Sequence, residues 1–98
     1  MENEITESSG NVFEDLGFDG GEAENLRVRA RLMAPLEHYV RERGITQEEA
    51  AEELGTTQVR ISELMNGKVQ SFSIDALINM LNRVGLEVDV NVHPRKRV

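Results

Sequence analysis

Five neighbouring residues near the middle of the chain carry groups that can bind the edges of base pairs. They are Gln58, Val59, Arg60, Ser62 and Glu63. At helical spacing, four of them share one outward face and Arg60 lies to its side. The backbone amides in the first turn of a helix have no partner inside that helix and are free to bind phosphate. A surface of this composition suits reading of the major groove of DNA.

Two short helices around a tight turn are predicted to hold this surface. Thr46 and Glu49 have the spacing of a capping box, so the first helix begins at Gln47. That helix ends at Leu54, because Gly55 supplies the positive φ of a tight turn without a clash at Cβ. The turn is therefore short and leads directly into the second helix.

The second helix carries the outward face. Thr56 and Thr57 offer hydroxyl caps at its start, and Asn66 and Gly67 end it. Its apolar residues recur at helical spacing and therefore predict a stripe that faces the core. The stripe consists of Ile61, Leu64 and Met65.

This pair of helices closely resembles the helix-turn-helix of the Cro/repressor, or XRE-like, regulators. The resemblance rests on GTTQ at residues 55–58, on Ile61 and Leu64, and on NGK at residues 66–68. It extends over nearly the whole chain. NVFEDLGF near the start, FSIDALINMLNRVGLEV near the end and a terminal strand look like small antitoxins of the HigA type.

The resemblance implies a function and a set of partners. In that family the protein represses its own operon as a dimer and neutralises a RelE/HigB-like ribonuclease toxin encoded beside it. We therefore expect a sequence-specific transcriptional regulator that binds double-stranded operator DNA with an inverted repeat and is the antitoxin of a type II toxin–antitoxin pair. The alternative is a stand-alone XRE-type, phage-like repressor with no toxin partner.

The resemblance also assigns roles to individual residues. Gln58 and Val59 match base-reading positions, and the chemistry fits, because a Gln amide pairs with adenine N6 and N7 and a valine suits a thymine methyl. Glu63 departs from the family, since a carboxylate accepts from cytosine N4 but is repelled by phosphate. Arg60 has two alternatives, a phosphate or a guanine. The whole expected DNA-binding set is Gln47, Thr57, Gln58, Val59, Arg60, Ser62, Glu63, Asn66 and Lys68.

The composition predicts one small domain. The chain has 98 residues, of which 39% are hydrophobic, with four aromatic residues and no Trp, so its core is expected to be small and aliphatic. The absence of Cys excludes disulfides and thiolate zinc sites. No long apolar run or signal peptide is present. We expect a cytoplasmic bacterial protein, associated with the nucleoid, without metal or cofactor.

The net charge of −7 is concentrated near the start of the chain. The first 25 residues hold eight acidic residues and no basic one, whereas residues 26–98 hold all eleven Lys and Arg against ten acids, a net charge of +1. We predict an acidic, partly disordered segment over residues 1–20, which would repel phosphate and weaken nonspecific DNA binding.

Four apolar residues interrupt the acidic segment and form a possible toxin-binding site. They are Val12, Phe13, Leu16 and Phe18. Two alternatives exist for them. Either the segment folds back onto its own domain or onto a dimer mate, or it is a peptide that becomes ordered when it binds a toxin.

A long first helix opens the domain predicted over residues 21–85. It should begin near Gly21 or Glu22 and run to about Arg43. Pro35 lies within this pattern, removes a backbone donor and clashes with the preceding turn. We expect either a kink or two helices that meet near Ala34.

A last helix is predicted over residues 74–84. Ser73 caps its start and Gly85 ends it. Its regular apolar stripe favours a place in the core over a partner site. The fold class expected is therefore mainly α, a Cro/repressor-like domain of four to five helices followed by a C-terminal β-strand.

Residues 86–93 change to the alternating pattern of a strand, and residues 94–98 form a basic tail. The apolar residues of the strand, Leu86, Val88, Val90 and Val92, are the expected dimer interface. A single strand cannot satisfy its own backbone, so we expect antiparallel pairing with a second copy. A homodimer places two recognition helices roughly 34 Å apart, one turn of DNA. The rival arrangement is addition of the strand to the sheet of a toxin.

Enzymatic activity is not expected. His38 lies on a predicted helix and His93 in the predicted strand, and neither has a second ligand at metal spacing. The chain has no Cys nucleophile and no glycine-rich phosphate loop. Both histidines are therefore expected to lie on the surface.

Overall fold

Four α-helices make up most of the described chain. The structure, a computed structural model, describes residue 13 and residues 16–95. The helices are α1 (Gly20–Arg43), α2 (Gln47–Leu54), α3 (Gln58–Met65) and α4 (Ile74–Arg83), and a 3₁₀ turn (Val69–Ser71) joins α3 to α4. None of these helices is long and apolar enough to cross a membrane. The prediction of a mainly helical fold is confirmed.

Helix α1 is continuous, so of the two alternatives expected at Pro35 the division into two helices near Ala34 is wrong, and the kink stays a prediction. Asp19 caps its start by accepting the Glu22 amide at 2.7 Å, and Gly44 ends it with a φ of 62°. Pro35 lies inside the helix on its exposed side. The cost of a proline within a helix is outweighed by burial of the opposite face. The buried residues of that face are Ala23, Leu26, Met33, Leu36 and Val40.

All four helices contribute to one apolar core. Five large side chains are fully buried, and each contributes roughly 1.5–3 kcal/mol of burial free energy. They are Leu36, Leu54, Ile61, Leu64 and Leu77. Phe72, which follows the 3₁₀ turn, is also buried and packs with them. Helices α2 and α3 are therefore held by α1 and α4 rather than by each other alone.

Helix α4 ends one residue before the predicted boundary, at Arg83. Gly85 adopts a φ of 82°, and the Leu86 amide donates to the Leu81 carbonyl at 2.9 Å. This closure turns the chain away from the helix axis. Residues 86–95 then have no regular secondary structure, and no β-strand occurs anywhere in the described residues. A strand needs a neighbour to form a ladder, so its formation over residues 86–93 in a dimer stays a prediction.

Candidate nucleic-acid interface

Helix α2 begins as predicted, at a complete capping box. The Thr46 hydroxyl accepts the Glu49 amide at 3.0 Å, and the Glu49 carboxylate accepts the Thr46 amide at 3.0 Å. Both otherwise unpaired donors are thus satisfied by neighbours in sequence. Gln47, the first residue of the helix and an expected DNA contact, is exposed.

The turn between α2 and α3 closes on Gly55, which has a φ of 71°. The Thr56 amide donates to the Ala51 carbonyl at 2.9 Å, and the Gly55 amide donates to the Glu52 carbonyl at 3.3 Å. A Cβ atom on Gly55 would also lie 2.5 Å from Nε of Arg83, whose side chain crosses the turn. The sequence predicted the positive φ of Gly55, but it did not indicate that Arg83 of α4 lies against this turn.

Helix α3 presents its first turn to solvent. Thr57 is the cap, since its hydroxyl accepts the Arg60 amide at 3.2 Å. Gln58 and Val59 follow and are exposed, Val59 to 68%. The opposite face is fully buried through Ile61 and Leu64. The helix therefore presents an amide and an apolar side chain side by side on the surface where base contact was expected.

Arg60 is bound to its own domain in a way that the sequence did not indicate. Its guanidinium donates to the Ser71 carbonyl and to the Glu63 carboxylate, the latter at 3.3 Å. It also lies 5.6 Å from the centre of the Phe72 ring. Its side chain is about half exposed. The pair places a positive charge beside Glu63, and this reduces the repulsion between that carboxylate and phosphate.

A second arginine holds the same linker. Arg29 on α1 donates to the Phe72 carbonyl at 3.1 Å, next to the Ser71 carbonyl that Arg60 binds. Two guanidinium groups from different helices thus fix the chain where it leaves the 3₁₀ turn Val69–Ser71. No local pattern predicts these contacts, because the partners are distant in sequence.

The other expected DNA contacts lie at the C-terminal end of α3. Asn66 and Lys68 are exposed, and Ser62 is half-buried. Gly67 has a φ of 72°, and the Lys68 amide donates to the Glu63 carbonyl at 3.0 Å. This closure holds the backbone between Asn66 and Lys68, so both side chains project from a fixed turn.

A network of three side chains joins α1 to α2. The Tyr39 hydroxyl donates to one oxygen of Glu53 at 2.7 Å, and Arg43 donates to the other oxygen at 2.7 Å. Arg43 also lies 5.5 Å from the centre of the Tyr39 ring. The hydrogen bond to the carboxylate, with a smaller effect of burial, raises the pKa of Tyr39, and the charge of Arg43 opposes this rise.

The two terminal segments expose apolar side chains. Val12 lies outside the described residues; Phe13 and Phe18 are half-buried, whereas Leu16 is 68% exposed. In the C-terminal segment Val88 is half-buried against the core. The other expected interface residues are more exposed, at 37% for Leu86, 79% for Val90 and 85% for Val92.

Both histidines, His38 and His93, lie on the surface as predicted. Within the described residues there is no group of three or more His, Asp or Glu side chains that could hold a metal ion.

Comparison with known proteins agrees with this geometry. No curated protein matches the chain. A family model described as a helix-turn-helix domain matches residues 12–93, which include every described helix. Helix-turn-helix domains bind DNA with the second helix of the motif in the major groove. Helices α2 and α3 are the two short helices that the tight turn at Gly55 joins, and the chain belongs to this helix-turn-helix domain family.

Proposed function

We propose that this protein is a sequence-specific transcriptional regulator that binds an inverted-repeat operator as a homodimer, in the bacterial cytoplasm at the nucleoid. The observation that carries the proposal is the exposed first turn of α3, where Gln58 and Val59 face solvent while Ile61 and Leu64 are buried. An amide and an apolar group at the start of a recognition helix suit adenine and thymine edges.

The charges of the domain support reading of bases over general attraction to DNA. Residues 26–98 have a net charge of only +1, and four glutamates lie on α2. Nonspecific affinity for DNA comes mainly from phosphate contacts by Lys and Arg. With so little excess positive charge, specific affinity must come from base contacts and from the presence of two copies on one operator.

The base-reading role of Gln58 is tested by a single substitution. The operator is first selected from a library of random duplexes that includes the DNA upstream of the protein's own gene. Gln58→Ala should then weaken operator binding by about 1–3 kcal/mol and relax the preference at one base pair. Asn82→Ala is the matched control, because in the described part of the chain that exposed amide bonds only to the Ile78 carbonyl of its own helix.

Fluorescence anisotropy at several salt concentrations measures both effects. Loss of specificity at one base pair distinguishes Gln58 from a phosphate contact, whose removal weakens binding to all sequences alike. An unchanged base preference in Gln58→Ala would show that this side chain does not read the operator.

We further propose that the protein is the antitoxin of a type II pair and neutralises a RelE/HigB-like toxin. Besides the resemblance, the supporting observation is Leu16, which is 68% exposed between half-buried Phe13 and Phe18. An exposed leucine in an acidic segment is a suitable anchor for a basic protein partner with an apolar pocket.

Co-expression with the neighbouring gene tests this role. Leu16→Asp should abolish neutralisation and leave operator binding unchanged. Asn79→Asp, at an exposed position outside the proposed DNA-binding and dimer residues, is the control for an added negative charge. Continued neutralisation by Leu16→Asp would place the toxin contact elsewhere. A neighbouring gene that is not toxic would favour the stand-alone repressor.

A further inference from the structure

The segment of residues 87–93 has an unpaired backbone. Within the described part of the chain, none of its backbone N–H or C=O groups takes part in a hydrogen bond. Val90 and Val92 on the same segment are 79% and 85% exposed. An edge with free amides and exposed valines is a template for pairing with another strand.

One face of this segment is directed at the helices. Leu86 lines an apolar groove of about 560 Å³ together with Ala34, Pro35 and His38 of α1, and Val88 packs against the core. In a strand alternate residues share a face, so Val90 and Val92 belong to this same face. Within the described residues of the single chain, however, these two valines are left largely exposed.

We propose that this segment pairs antiparallel with the same segment of a second copy, with the twofold axis passing through Val90. The inference rests on the proposed dimeric function and specifies its interface. Residues directly opposite each other in an antiparallel pair point to the same face. The valines of both copies share one face only if even-numbered residues lie opposite even-numbered residues. The twofold axis must then pass through a residue and not between two residues. The central candidates are Asp89, Val90 and Asn91.

Charge and burial select Val90 among the three. An axis at Asp89 sets Asp89 directly against the second copy's Asp89, and like charges in opposite positions destabilise a sheet. An axis at Asn91 sets Val88 against the second copy's Pro94 and leaves Leu86 beyond the paired region. The Asp89 register therefore opposes two like charges, and the Asn91 register loses the apolar pairing of Leu86.

The Val90 register gives favourable pairs of opposite residues on both faces of the two strands. On the apolar face, Val90 meets the second copy's Val90, and Val88 meets the second copy's Val92. On the polar face, Asp89 lies opposite Asn91 and Glu87 lies opposite His93, so no like charges are opposed.

The same register explains how the groove on α1 is covered. It places the second copy's Pro94 opposite Leu86, with the second copy's Val92 beside it, over the groove. Proline lacks an amide, and it is tolerated at the end of an edge strand, which is where Pro94 lies in this pairing.

Cysteine scanning of the full chain tests the register, because the protein has no cysteine of its own. Asp89→Cys, Val90→Cys and Asn91→Cys are oxidised separately and analysed by non-reducing electrophoresis. Residues at the axis have Cα atoms about 4.5–5.5 Å apart, within the disulfide range. The neighbouring positions are offset to about 7–8 Å. Val90→Cys should therefore form disulfide-linked dimers at least about tenfold faster than either neighbour.

A second measurement uses variants in which Asp89 is unchanged. Equimolar Val88→Cys and Val92→Cys proteins should form a mixed disulfide faster than either forms one with itself, because these positions are opposite in the Val90 register. Fastest cross-linking at position 89 or 91, equal rates at all three positions, or no cross-linking would overturn the proposal. Operator binding is measured in the same variants. Position-specific cross-linking without operator binding would refute the proposed function and keep the register. Operator binding without position-specific cross-linking would refute the register alone.

Discussion

At the scale of single residues, Gly55 meets two independent requirements of the helix-turn-helix. Its φ of 71° is strained for any residue with a Cβ, and the Arg83 side chain occupies the space that a Cβ would need. Gly44 provides a natural comparison. It has a similar φ of 62°, but no atom of the described residues lies within 4 Å of the position where its Cβ would be.

The difference between these glycines can be measured as free energy of unfolding. Gly44→Ala should cost about 1–2 kcal/mol, the price of the left-handed conformation alone. Gly55→Ala should cost more, because Arg83 must also move. Urea unfolding of both variants gives the comparison, and Arg83→Ala in the Gly55→Ala background should recover the excess. Equal losses at the two glycines would show that Arg83 does not restrict the turn.

Residues whose roles depend on near neighbours were the ones that the sequence predicted correctly. The Thr46 and Glu49 capping box and the left-handed Gly55 each involve contacts within a few positions. Arg60 was different. Its binding to Ser71 and Phe72 depends on how the linker packs, and several surfaces compete for a long, flexible guanidinium.

At the scale of elements, the network of Tyr39, Arg43 and Glu53 sets how α2 lies on α1. Tyr39 is the only tyrosine of the chain, so the phenolate absorbance that appears in an alkaline titration reports on Tyr39 alone. The raised pKa means that the neutral phenol is favoured in the folded state. Its contribution to stability is complete below the unfolded pKa of about 10 and is lost as pH rises through the higher folded value.

Glu53→Gln should lower the pKa of Tyr39, because it removes both the charged acceptor and the repulsion of phenolate. A spectrophotometric titration of the folded protein should therefore shift to lower pH. Glu52→Gln is the control, since the neighbouring carboxylate has no contact with Tyr39 among the described hydrogen bonds. If both variants titrate like the unmodified protein, the hydrogen bond between Tyr39 and Glu53 is absent in solution.

The elements themselves were predicted to within about one residue where caps are local. Asp19, Thr46, Thr57 and Ser73 each accept an amide three residues later. The division of α1 at Pro35 was wrong, because the local cost of the proline was visible in the sequence and the burial that outweighs it was not. The 3₁₀ turn Val69–Ser71 was not predicted, because the contacts at its end come from residues distant in sequence. Arg60 of α3 donates to the Ser71 carbonyl, and Arg29 of α1 donates to the Phe72 carbonyl.

At the scale of the whole molecule, the weak positive charge of the domain makes dimer formation essential for the proposed function. A single copy has one proposed recognition surface, and it carries Glu63 beside Gln58 and Val59. Two copies joined at residues 86–93 would bind successive major grooves, and the second contact would then be intramolecular. Affinity for an inverted repeat should therefore depend on an interface far from α3 in sequence.

Val90→Pro distinguishes the contribution of the dimer interface from that of helix α3. Proline removes an amide and resists the centre of a strand, whereas Val90 is exposed in the single chain, so the helical domain should keep its thermal stability. Sedimentation should shift toward the monomer, and affinity for the inverted repeat should fall by at least about tenfold. Affinity for an isolated half-site should stay the same, because α3 is unchanged. Val90→Thr, which keeps the amide and the β-branch, is the control. A dimer that persists in Val90→Pro, with undiminished operator affinity, would move the interface to another surface of the domain.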